Sequence, residues 1–306
     1  MLGFIIKRLL ITIPTILVVI TITWGLVRLA PGNFYSGEKR IPPAIEKNIR
    51  EKYGLNKPWY VQYGRTMSHI LLLDFGNSLK YEGQSVNKII ARSLPVSAAI
   101  GISAYLLALI VGIAVGSIAA LKQNSKWDYA SMALAMLGIS VPNFVLGPIL
   151  VLIFSLTLYW LPPSRWYGFT SRAVLLPILT LSAVYMAYIA RLTRAGMLEV
   201  LRSDYIRTAR SKGLSERDVL LRHALRGGLM PVVSYTGPAL AFLLTGTVVV
   251  EKIFALPGLG NYFIQASLNR DEPLILGIVA FIAMTLLIMN LLVDIAYAYL
   301  DPRIRY

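Results

Sequence analysis

The chain has 306 residues, of which 56% are hydrophobic and only 15% charged, with a mean hydropathy of +0.64, against roughly 25% charged residues in a soluble domain. That balance leaves too little polar surface for a soluble protein, and the absence of cysteine excludes structural disulfides, thiolate metal sites and cysteine nucleophiles. The net charge of +15 would suggest nucleic acid as a partner of a soluble protein; here it reports membrane topology.

Stretches free of Asp, Glu, Lys and Arg cover residues 9–27, 93–121, 129–164, 173–190, 227–250 and 273–293. A helix needs about 20 apolar residues to cross ~30 Å of hydrocarbon, so the pattern predicts an all-α polytopic membrane protein with six transmembrane helices. The N-terminal MLGFIIKRLL starts basic like a signal peptide, but its apolar run is longer than an h-region and no A-x-A-like site comes after it, so it reads as a retained first helix. With Lys7 and Arg8 in the cytoplasm, the short loops carry 15 basic residues inside against 4 outside, which places both termini in the cytoplasm. The chain then divides into a first helix (1–30), an external segment (31–92) and a five-helix core (93–306) with a cytoplasmic loop at 199–226.

The external segment has helical signals. Ile45, Ile49 and Tyr53 recur at i, i+4 and i+8 and end at Gly54, a C′ residue. A second helix starts after Pro58, with Tyr60, Tyr63, Met67 and Ile70 or Leu71 on one side, and a third starts at Ser85 with Val86, Ile89 and Ile90 inward. These describe a small helical cap on the outer face, the alternative being a plain connecting loop. Pro142 and Pro148 in the third span, Pro177 in the fourth, and Gly237 and Pro238 in the fifth predict kinks.

No ionisable residue falls in mid-span. Arg28, Arg191, Glu251 and Asp294 stand at span ends, where interfacial placement accounts for them, so the proton or cation coupling of a secondary transporter has no visible site. There is no G-x-x-x-x-G-K-[ST] loop and no H-E-x-x-H, and His69 and His223 stand alone. The chain is therefore read as no enzyme; it borrows its energy or is a passive channel.

A candidate entry point for that energy lies between spans four and five. Leu201, Tyr205 and Ala209 recur every four residues with Ile206 beside them, while Arg202, Arg207 and Arg210 take other faces, which predicts a short amphipathic helix. Gly213 can end it with φ > 0, and Ser215-x-x-Asp218 has the form of a capping box opening a second helix through Val219, Leu221 and Leu225. This helix-turn-helix suits docking into a partner's groove, the alternative being a basic helix lying on anionic lipid.

The segment resembles the EAA loop of binding-protein-dependent ABC importers: the block Arg207, Thr208, Ala209, then Gly213 and the closing Pro231, with Arg207 and Thr208 standing where the general pattern has Glu and Ala. DYIRTARSKGLS and RHALRGGLMPVV look like the peptide-permease branch, and FIIKRLL, LAPGN, YGLNKPWYVQY, DFGNSL, ISVPNF, EKIFALPGLG and LDPRIRY extend the resemblance in order over nearly the whole chain. The resemblance implies the type I importer permease fold. It also implies a bacterial or archaeal cell-membrane location, a heterodimer with a second permease subunit, two cytoplasmic ATPases that bind ATP and Mg, an external substrate-binding protein and a peptide substrate. No cofactor, metal or nucleic acid belongs to this chain. Carried onto the sequence, Leu201, Tyr205, Ile206, Arg207, Thr208, Ala209, Arg210, Gly213 and Ser215 would dock the ATPase, and Pro257, Gly258 and Gly260 would form an external gate. Ser234, Tyr235, Thr236 and Thr245 offer neutral polar groups for the pathway. Nickel-importing permeases share the branch, so nickel is the alternative cargo.

Overall fold

The structure, a computed structural model, describes residues 2–30, 47, 51, 54, 56–163 and 166–300. Among them the regular elements are helices, with one isolated bridge between Asn77 and Ser85. We number the main ones α1 (Leu2–Leu29), α2 (Trp59–Leu71), α3 (Val86–Leu121), α4 (Lys126–Ser140), α5 (Asn143–Val151), α6 (Leu175–Leu201), α7 (Asp204–Ser211), α8 (Met230–Leu244), α9 (Val248–Ile253), α10 (Leu259–Asn269) and α11 (Glu272–Leu300). The helix expected around Ile45, Ile49 and Tyr53 and the C-terminal 301–306 lie outside the described residues.

Four stretches are long and apolar enough to cross a membrane: Val86–Leu121, Arg172–Leu201, Met230–Ile253 and Glu272–Ala296. The bent pair Lys126–Ser140 and Asn143–Thr157 makes a fifth. The first charge-free stretch falls on α1, whose 28 residues reach about 42 Å and whose apolar part is Ile13–Leu29.

Proline placement differs from expectation in an instructive way. The third span is broken rather than kinked: its halves meet at 103°. Pro142 disfavours helical backbone at Val141, which is extended at φ −90° and ψ 112°, and Pro142 itself leads into α5. Beyond Pro148 the helix widens into a π-helical turn, Leu152–Thr157. Pro177 sits in the first turn of α6, where its missing N–H costs nothing. The fifth span breaks not at Gly237 and Pro238, which lie within α8, but after Leu244, where Gly246 takes φ +91°.

The core forms where α3 and α6 run together, with Ala104, Ala108, Leu181 and Ile189 buried between them and Val232, Leu243 and Phe254 closing over. At one end, α2 lays Met67 and Ile70 against Ile20 and Trp24 of α1 and Leu276 and Ala280 of α11. Ile70 faces in and Leu71 out, while Tyr60 is exposed. The third cap helix expected from Ser85 is instead the first turns of α3: Ser85 accepts the Lys88 N–H as an N-cap, and the helix continues unbroken to Leu121. Asp271, fully buried, ties this end together. It receives the Leu79 and Lys80 N–H groups at 3.0 and 3.2 Å and the Ser78 hydroxyl, and it caps α11 through Leu274 N–H.

Candidate functional site

The segment after α6 lies at the opposite end. Helix α6 stops at Leu201, and Ser203 starts a new one, α7, so Leu201 and Tyr205 are on different helices and do not continue one stripe. The face that α7 buries is Ile206 and Ala209, 0% and 6% exposed, whereas Tyr205 is 49% exposed. A helix of eight residues is marginal alone; here Ile206 and Ala209 pack with Ala120 of α3, Met197 of α6 and Val219 and Ala224 further along. Asp204 in the first turn faces the positive end of the helix dipole and pairs with Arg207.

The stop is a Schellman turn. Gly213 has φ +78°, its N–H reaches Arg210 O at 2.9 Å, and Leu214 N–H reaches Ala209 O at 3.4 Å. Ser215 then accepts the Asp218 N–H at 3.2 Å and donates its hydroxyl to the Asp218 carboxylate at 2.6 Å, the cap that the Ser215-x-x-Asp218 spacing predicts. The return arm consists of three joined pieces: Glu216–Asp218, a π-helical Val219–Ala224 and Leu225–Gly228. The wider turn puts Val219 and Ala224 inward and leaves Leu221 51% exposed. Arg210 clips the two arms across the turn, donating to Glu216 at 2.8 and 3.1 Å. The hydrogen bond from Arg210 holds the Glu216 carboxyl below the usual carboxylate range.

Asp128, 1% exposed, binds Arg194 and so joins α4 to α6 next to this unit. The unit itself is held against α6 by a close approach of backbones. A Cβ on Gly196 would stand 2.2 Å from Gly228 O, so the return arm crosses α6 at a distance only glycine permits. The outward surface carries Tyr205, Leu214 and Leu221 among the exposed Arg207, Thr208, Arg210, Arg217 and Arg222. This surface thus combines exposed apolar side chains with guanidinium groups.

Of the polar groups singled out in span five, Ser234 is exposed. Thr236 shares a 2.6 Å hydrogen bond with Tyr105, and Tyr235 lies against Tyr185 and Tyr188, ring centroids 6.3 and 5.7 Å apart. Thr245 is buried with its hydroxyl bonded to Ala241 O, so it offers no open group to a passing chain. Of the expected gate residues, Pro257 is exposed, but Gly258 and Gly260 are buried around the Glu251 carboxylate. Glu251, which the sequence marked only as a span-end residue, is 4% exposed; its closeness to FALPGLG was the available signal of a structural role. Asp128 did not stand out in the sequence either, although Ser125-x-x-Asp128 carries the same capping spacing as Ser215.

Residues 112–306 match the family described as binding-protein-dependent transport system inner membrane component. The chain is 48% identical over 306 residues to the oligopeptide transport system permease protein OppB of Escherichia coli strain K12, covering all of both chains. It is 44% identical to the dipeptide transport system permease protein DppB of Bacillus subtilis, covering all of this chain and 98% of that one. Among solved structures, an inward-facing MetNI methionine ABC transporter chain matches with a TM-score of 0.56 at 15% identity, over 70% of this chain and 96% of the other. The fold is thus that of a type I ABC importer permease.

Proposed function

The chain belongs to the family of binding-protein-dependent transport system inner membrane components, and on that premise we propose that it is one of two membrane subunits of an ATP-driven peptide importer, docking a cytoplasmic ATPase through residues 204–228. It would pair with a second, related permease, so that each chain supplies half of the pathway. An external binding protein would deliver the peptide, and two ATPases would hold ATP and Mg. Both termini lie in the cytoplasm in this reading, on the charge balance of the short loops. Peptide as cargo rests on the oligopeptide and dipeptide permeases to which the chain is 44–48% identical.

The observation that carries the docking role is the two-sided construction of α7. Its inner face, Ile206 and Ala209, is spent on this chain's own core with Ala120 and Met197, while Tyr205, Leu214 and Leu221 face away. A push on the outer side is passed directly to α3 and α6, since a close-packed interior transmits displacement rather than absorbing it. The apolar residues anchor in the ATPase groove and the arginines steer the approach.

The test is association. The chain purified with its partner permease should hold the ATPases through size-exclusion chromatography, and Tyr205→Glu with Leu221→Glu should release them while the permease pair stays intact. Undiminished association of the double variant would remove the docking role. Leu221 is exposed and Tyr205 half-exposed with its hydroxyl beside Gly227, so the intact permease pair is the folding control and Leu221→Glu alone should weaken association in the same direction; Ala209→Glu would not separate the two, because it buries a charge.

A further inference from the structure

Helix α10 begins at Leu259 with Gly258 before it, a residue that has no side chain to cap the free N–H groups. Those groups are met from elsewhere. Leu259 N–H donates to Ser97 Oγ at 2.8 Å, and Asn261 N–H donates to Glu251 Oε2 at 3.0 Å. Gly260 N–H also bonds the Glu251 carboxylate, and Ser97 donates its hydroxyl to Glu251 Oε1 at 2.7 Å. Ser97 belongs to the second span, about 16 Å below the start of α3, and Glu251 to the fifth. No lysine or arginine pairs with Glu251 among the described residues. The pocket for the carboxylate is made by omission: a Cβ on Gly246, Gly258 or Gly260 would lie 2.5, 2.3 or 3.1 Å from Glu251 side-chain atoms.

We infer that Glu251, with Ser97, is the positioning residue that clamps the mouth segment 257–261 to spans two and five at once, so that this segment moves only when those spans shift relative to each other. A Ser or Asp at position 258 would cap α10 locally and leave the segment independent of both spans. Delegating the cap to two other helices couples it to them. A buried carboxylate without a cation is costly unless hydrogen bonds compensate it, and here the donors come from the very segment being held. The inference rests on the importer reading for its purpose, though not for its geometry.

The chain has no cysteine, so a nitroxide attached to Ala255→Cys in the purified chain before the complex is assembled reports this turn alone. In the complete complex in lipid, Glu251→Gln keeps the shape but sets an amide N–H₂ against a donor. The label should become mobile, and peptide uptake per ATP hydrolysed should fall about tenfold, the equivalent of one hydrogen bond to a charge, with assembly and ATP hydrolysis kept. Ser97→Ala should loosen the label in the same direction and serves where Glu251→Gln fails to assemble. Uptake and hydrolysis falling in proportion, or an immobile label in both variants, would overturn the clamp. If the unaltered complex takes up no peptide, the importer reading fails by itself, and label mobility alone then decides the clamp.

Discussion

The Asp128 carboxylate takes two hydrogen bonds from one guanidinium, Arg194 Nε at 2.6 Å and its terminal nitrogen at 2.7 Å, and a third from Asn124 N–H at 3.0 Å. It thereby fixes the turn between spans two and three to the helix from which the 204–228 loop departs. Asp128→Ala would leave Arg194 without its partner, and we expect a loss of about 2–3 kcal/mol in the thermal unfolding of the complex. Asp128→Asn, which still accepts, should lose less.

Gly196→Ala should cost about 1–3 kcal/mol by overpacking, because its Cβ would meet Gly228 O at 2.2 Å. Gly64→Ala in α2 is the control: nothing lies within 4 Å of its Cβ, and it should be neutral or stabilise by up to about 1 kcal/mol. Detergent melting curves of the two variants decide it, and equal shifts would contradict the close crossing.

The Arg210 clip has a pH signature. Glu216 is lowered in the folded loop, so its contribution is present above the unfolded carboxylate value, about 4.3, and is lost as the pH falls through the lower folded value. A spin label on exposed Ser211→Cys should therefore stay ordered from pH 7 to about pH 5 and loosen only below about pH 4. Glu216→Gln should be looser from pH 7 to about pH 5 and show no further loosening on acidification.

The spans were legible because charge exclusion is a property of composition along the chain and needs no knowledge of neighbours. The turn at Gly213 and the cap at Ser215 were legible because each is set within a few residues. Three things were not. A proline in a span reads the same whether it bends the helix or breaks it, so the 103° fold at Pro142 needed the packing of α5. The phase of α7 depended on a helix ending at Leu201, and a four-residue repeat running through Tyr205 gave no sign of that end. Glu251 looked like an ordinary span-end residue because its partners come from elsewhere, Ser97 standing 154 positions away and the Asn261 N–H beyond the next turn.

The central claim is that energy made elsewhere enters this half-pathway through residues 204–228. Its most direct test is labelled-peptide uptake into proteoliposomes holding this chain, its partner permease, both ATPases and the binding protein. Uptake should require ATP, vanish with Tyr205→Glu and Leu221→Glu, and be absent from vesicles holding this chain alone. Flux through the lone chain without ATP, or ATP-driven uptake undisturbed by the double variant, would contradict it.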